Sequence, residues 1–130
     1  MTTLVAERTT FLRTVLKLDA AVSGLNGVAY LVASGPLADL FGTSPTLLFA
    51  LGAFLVLWTA ALLIIATRPR ISRPAVLGVV AGNAVWVVDS VVLAAVGALS
   101  TVGVVWALLQ AAVVAAFVVA AVLGLRRAAT

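Results

Sequence analysis

The chain has no cysteine and no histidine. Disulfides and thiolate nucleophiles are therefore excluded, and zinc, haem and copper sites lose their usual ligands. Acids are scarce: Glu7, Asp19, Asp39 and Asp89 are the whole set. Charged residues of both signs make up 9% of the chain, against roughly 25% in a soluble domain. No GxxxxGKS loop is present to cradle a phosphate, and no GxGD motif of an intramembrane aspartyl protease. With so little chemistry on offer, the expectation is a protein that is not an enzyme and carries no cofactor and no metal.

Apolar residues are what the chain has in excess. They form 65% of its 130 residues, where soluble domains have roughly 45–50%. They fall into four runs, each near the ~20 residues that a helix needs to cross a bilayer. The runs predict helices over about 10–33, 45–67, 74–97 and 101–125, which leaves almost nothing for a soluble part. The expected fold is all-α: a polytopic, four-transmembrane-helix bundle, with residues 1–130 forming a single integral membrane domain.

Local signals set the ends of these runs. Ser44-Pro45 and Ser72-Arg73-Pro74 each offer a capping hydroxyl followed by a proline in the first turn. Ser100-Thr101 opens the last run, and Pro69 stops the second. After the first run, residues 36–42 read as a short half-turn on the outer face, with Leu37, Leu40 and Phe41 dipping into lipid and Gly42 closing it. Ahead of that run, Leu4, Val5, Phe11, Leu12, Val15 and Leu16 recur at helical spacing. They predict an amphipathic lead on the membrane surface, with Glu7 suiting the helix N-terminus. Ala33-Ser34-Gly35 would pass as a cleavage site. Asp19 and Asn26 interrupt the apolar stretch, however, and three further spans follow, so this run is read as a membrane helix and not a secretory signal.

The basic residues set the orientation. Arg8, Arg13 and Lys17 lie near the start of the first run, Arg68, Arg70 and Arg73 between the second and third, and Arg126 and Arg127 after the fourth. The other two connections carry none. Because Lys and Arg stay on the cytoplasmic side, both termini are expected in the cytoplasm. The net charge of +4 is thereby spent on lipid headgroups at helix ends, and nucleic acid is excluded as a partner.

The informative residues are polar ones at depth. Asp19, Ser23, Asn26 and Tyr30 follow one another at helical spacing and share one face of the first helix. Asn83, Trp86 and Ser90 form a second stripe on the third helix, with Asp89 beside it. Trp106 and Gln110 stand one turn apart on the fourth. Lipid satisfies none of these groups, so they are expected to face the helix interior or a subunit interface. By residue counting, Asn26, Thr59, Asn83 and Gln110 form one hydrogen-bonded layer, with Asp19 on its cytoplasmic side and Asp89 on its outer side. Such amides commonly hold membrane helices together. Asp19, near the interface, has Arg13 or Lys17 as an available partner, whereas Asp89 has no basic residue within reach. A charged carboxyl at mid-helix costs roughly 2.5–3.5 kcal/mol, so Asp89 is expected to be protonated, hydrated, or bound to a cation. Gly24, Gly27, Gly78 and Gly82 allow close helix approach. The two halves of the chain could be parallel repeats.

Three stretches carry a resemblance: residues 16–27 (LKLDAAVSGLNG), residues 35–42 (GPLADLFG), and Asn83 to Trp86 together with Gln110. The set resembles a group of small four-span bacterial integral membrane proteins of no characterised activity. It implies a bacterial inner (cytoplasmic) membrane and no particular function. Small multidrug resistance transporters use a glutamate in the first helix, and lipoprotein signal peptidases place an asparagine three residues before an aspartate. Neither pattern occurs here.

Two functions compete. One is a helix bundle that associates with itself or with a larger membrane complex, as an accessory or assembly subunit. The other is an oligomeric channel or proton-coupled carrier of a small solute, with Asp89 as the ion site and Asp19, Asn26, Asn83 and Gln110 as its polar path. Ser23, Tyr30, Thr59, Trp86, Ser90 and Trp106 are then possible lining residues. A lipid- or quinone-like ligand among Trp58, Trp86 and Trp106 is a third, weaker reading. Membrane lipids, a homo-oligomer or a larger complex are the expected partners.

Overall fold

The computed structural model describes the backbone of residues 2–129 and the side chains of residues 9–128. The side chains of Leu4, Val5, Glu7 and Arg8, assigned above to the amphipathic lead and the first basic cluster, lie outside the described residues. The described residues form five helices: α1 (Thr2–Val32), α2 (Ser34–Phe41), α3 (Pro45–Thr67), α4 (Arg73–Ala95) and α5 (Thr101–Ala129). No strand occurs among the described residues. Four stretches, Thr9–Val32, Pro45–Thr67, Arg73–Ala95 and Thr101–Ala128, are long and apolar enough to cross a membrane, which marks a multi-pass membrane protein. Their outward faces carry large apolar side chains, such as Val32, Leu25 and Leu57. In water this would be a liability; lipid solvates it.

The helices start where the sequence signals say. The Ser44 hydroxyl accepts the Leu47 N–H at 3.3 Å, the Ser72 hydroxyl accepts the Ala75 N–H at 3.3 Å, and both helices carry proline in the first turn. Ser100 does more. Its hydroxyl accepts the Gly103 N–H at 3.1 Å and donates to the Leu40 carbonyl at 2.7 Å, while its own N–H donates to the Phe41 carbonyl at 2.9 Å. The α4–α5 turn is thus tied to the end of α2. A lost cap costs about 1 kcal/mol and a lost hydrogen bond about 1 kcal/mol more. Ser100→Ala is therefore expected to lower thermal stability about twice as much as Ser72→Ala, measured by unfolding in detergent.

Packing makes α1 the central element. It packs on α3 along one side and on α5 along another, and α5 packs on α4; α3 and α4 scarcely meet. The α1–α3 seam is closest at two glycines: a Cβ on Gly52 would stand 2.8 Å from the Gly27 carbonyl oxygen. On the α1–α5 side, a Cβ on Gly124 would stand 3.0 Å from the Leu12 Cβ. A strict two-fold between the halves would make the α3–α4 contact as close as α1–α5, and it is not.

Two apolar clusters form. One, toward the end that carries the arginines, joins Leu12, Leu16, Leu62, Ala66, Val76 and Leu125. The other, toward the far end, joins Tyr30, Ala38, Phe41, Leu48 and Leu55. They correct two expectations. Leu12, Val15 and Leu16 do not lie on a surface lead but are buried, because α1 runs through Thr10 without a break. Phe41 does not dip into lipid: α2 turns it inward, stacked on Trp106 with ring centroids 5.9 Å apart. Leu40 stays outside and Gly42 closes the helix at φ 71°, as expected. Helix α4 stops at Ala95, two residues early, because Gly97 turns the chain at φ 73°.

The basic end is held by side-chain caps. Arg13 Nη1 donates to the carbonyls of Ala66 at 2.5 Å and Arg68 at 2.7 Å, and Nη2 donates to Pro69 at 3.5 Å. A cation from α1 thereby satisfies the C-terminus of α3, which has no basic residue in its own last turn. Lysine lacks the fork that reaches two carbonyls at once. Arg13→Lys is expected to lose about 1 kcal/mol and Arg13→Ala about 2–3 kcal/mol, read as midpoint shifts in denaturant titration. Arg73 Nη1 likewise donates to the Leu125 carbonyl at 3.4 Å, and the Arg127 guanidinium lies 4.5 Å over the Phe11 ring.

Candidate functional site

The polar stripe of α1 converges on the stripe of α4. Asn83 Nδ2 donates to Asp19 Oδ2 at 2.7 Å, and the Ser23 hydroxyl donates to Asp19 Oδ1 at 3.1 Å. Asp19 is 2% exposed and Asn83 6%. The backbones of α1 and α4 make no contact of their own, so this hydrogen bond is a brace across the diagonal of the packed helices. Asp19 was expected on the cytoplasmic side of an amide layer, with Arg13 or Lys17 as its available partner. Instead it belongs to the layer. Arg13 is engaged at the end of α3, and Lys17 points outward.

A cavity of about 30 Å³ opens beside the brace. Its polar lining is Asp19, Ser23, Asn26, Asn83 and Gln110, drawn from α1, α4 and α5. Phe54, Trp58 and Trp86 supply an aromatic wall. These rings occupy the gap that α3 and α4 leave open: Phe54 stacks on Trp86 with centroids 6.3 Å apart and on Trp58 at 5.8 Å. The Trp58 ring seats over Gly82, where a Cβ would stand within 3.0 Å of its Cζ3. Gly82 was legible as a small residue; Phe54 as a wall of the site was not. The i, i+4 spacing of Phe54 and Trp58 was the available signal.

A second cavity, of about 60 Å³, lies toward the far end among Tyr30, Ser90, Leu99 and Trp106. Trp86 and Gln110 line both cavities, and Trp86 Nε1 donates to Gln110 Oε1 at 3.0 Å. Trp106 Nε1 donates to the Tyr30 hydroxyl at 2.8 Å. Thr59, counted into the amide layer, faces the α1–α3 seam and donates to the Ala20 carbonyl at 3.4 Å. No buried side-chain polar atom among the described residues lacks a partner.

Asp89 stands apart. It is exposed on the outside of α4, whereas Asn83 and Ser90 are buried on the inside. No hydrogen bond or ion pair reaches it among the described residues. Neither cavity includes it.

Chemically, the two cavities are lined among the described residues by the Asp19 carboxyl, the amides of Asn26, Asn83 and Gln110, and hydroxyls that include Ser23, Tyr30 and Ser90. No cluster of three His, Cys, Asp or Glu side chains occurs among the described residues. A water needs roughly 10–15 Å³ of such space. Cavities of about 30 and 60 Å³ have room for a few waters each, and Trp58 lines only the first and Trp106 only the second. The chain matches no family model, no curated protein and no solved structure.

Proposed function

We propose that this protein is a non-catalytic assembly subunit of a bacterial inner-membrane complex. In this reading it is a four-helix membrane bundle with both termini in the cytoplasm, and it docks through the outer face of α4 onto a helix of another membrane protein. The observation that carries the reading is Asp89. It is exposed among Val85, Val88 and Val92, about 24 Å along α4 from Arg73 at 1.5 Å per residue.

The energies argue for a partner. An aspartate costs roughly 2.5–3.5 kcal/mol at the centre of a membrane helix and less toward its end, and its side chain is too short to snorkel as Lys and Arg do. A cation at the same depth offsets that cost. This chain cannot supply one from a parallel copy, because all eight of its Lys and Arg residues belong to the opposite end. Charge complementarity therefore selects a foreign helix with a basic side chain in its outer half. Gly78, above which a Cβ would meet nothing within 4 Å, leaves room for that helix to approach. Asp89 and Asn83 face different ways on α4.

The chain has no native cysteine, so single cysteines at Val85 or Val92 are clean crosslinking handles. They are expected to trap one partner in the native membrane, while a cysteine at Leu57 on α3 traps none. Native mass spectrometry is expected to find that partner at fixed stoichiometry, to lose it with Asp89→Leu, and to regain it when the partner's basic residue is exchanged for leucine in the same cells. A monomer or a pure homo-oligomer in the wild-type extract overturns the reading.

A further inference from the structure

We propose that the cavity between α1 and α4 is a binding site for a single small monovalent cation of the sodium class. This does not rest on the docking reading above; it concerns the inside of the molecule.

Size comes first. About 30 Å³ holds roughly two waters, or one cation in their place. The donors come next. Around the cavity stand the Asp19 carboxyl, the Ser23 hydroxyl and the amides of Asn26, Asn83 and Gln110. Hard oxygen donors of this kind suit hard cations. Asn83 spends its NH₂ group on Asp19, which leaves its carbonyl oxygen free. Asn26 has no hydrogen-bond partner among the described residues, so its oxygen is free to turn inward.

Charge then decides the valence. Asp19 is the one ionisable side chain in the lining, and no lysine or arginine joins it. A single negative charge is neutralised by a monovalent ion. A divalent ion would leave an uncompensated charge among apolar helices, at a cost that Asp19 alone does not offset. Phe54, Trp58 and Trp86 line the site on the side where α3 and α4 scarcely meet. The far cavity shares Trp86 and Gln110 with the site and reaches Thr43 and Leu99 at the connecting loops.

The test uses the full chain in detergent, titrated with NaCl against choline chloride at constant ionic strength. Tryptophan fluorescence and melting temperature are the readouts. Sodium is expected to change the fluorescence saturably and to raise the melting temperature; choline is expected to do neither. Asp19→Asn keeps the side-chain shape and removes the charge, and is expected to weaken the apparent sodium affinity about 100-fold. Asn26→Ala leaves the Asp19–Asn83 brace intact. It is expected to weaken affinity about tenfold while melting like the wild type in choline. Equal responses to sodium and choline, or a sodium response unchanged in both variants, would overturn the proposal and leave a cavity that holds water alone.

Discussion

Gly52→Val is expected to separate α1 from α3 and to destabilise the protein by about 3 kcal/mol or more. A Cβ at Gly52 would stand 2.8 Å from the Gly27 carbonyl oxygen, 3.0 Å from the Leu31 N and 3.0 Å from the Leu31 Cγ. Two of the three obstacles are backbone, so no rotamer change relieves them. The helices must move apart, and every contact along the seam loosens with them. Overpacking a close contact costs about 1–3 kcal/mol, and valine brings two further methyl groups to the same point. In a membrane, no hydrophobic effect drives helices together; close van der Waals contact does much of that work. Gly78→Val is the control, since a Cβ there meets nothing within 4 Å. It carries the same change in helix propensity without the clash. Both variants can be followed by the loss of helix signal in denaturant titration. A Gly52→Val midpoint equal to that of Gly78→Val would show that α1 and α3 are not packed through these glycines.

The second large effect is expected from Asn83→Leu, at about 2–3 kcal/mol. Leucine keeps asparagine's branching and heavy-atom count though it is bulkier, and Asp19 loses the shorter of its two hydrogen bonds, at 2.7 Å. Leaving a buried polar group without its partner costs about 1–3 kcal/mol, and more when the group is charged. The net worth of the pair is smaller: interhelical hydrogen bonds average about 0.6 kcal/mol, with a maximum near 1.7 kcal/mol. Asp19→Leu combined with Asn83→Leu should therefore fall short of the sum of the single losses by about 0.6–1.7 kcal/mol. Additive losses would mean that the brace between α1 and α4 contributes nothing to holding the helices.

The site was half legible. On α1, the spacing of Asp19, Ser23, Asn26 and Tyr30 placed all four on one face, and the structure turns that face inward. On α4, seven residues separate Asn83 from Ser90, which returns nearly to the same side. Six separate Asn83 from Asp89, which lands roughly 120° away at ~3.6 residues per turn. That Asp89 lies off the stripe could be counted. Whether a neighbouring helix reaches round to cover it could not, because that depends on α3 and α5 and on where they sit. Thr59 shows the same limit. Its depth matches the amide layer, yet it faces the α1–α3 seam.

Depth along a helix is a one-dimensional quantity, and the chain carries it openly. Apolar run length against bilayer thickness, serine–proline starts, proline and glycine stops and the gathering of arginines at one end all act within a few residues of where they are written. The number of spans and their ends follow from them. Rotation about each axis and the choice of neighbours are collective. Only the packed helices decide that Gly52 meets Gly27, that Arg13 caps α3 and leaves Asp19 alone, that Phe41 turns under Trp106, and that Asp19 is buried while Asp89 stays outside. The physical reason is that lipid solvates any apolar face equally well. The outward surface therefore exerts little preference, and rotation is settled by where small residues permit close approach and where polar groups find one another.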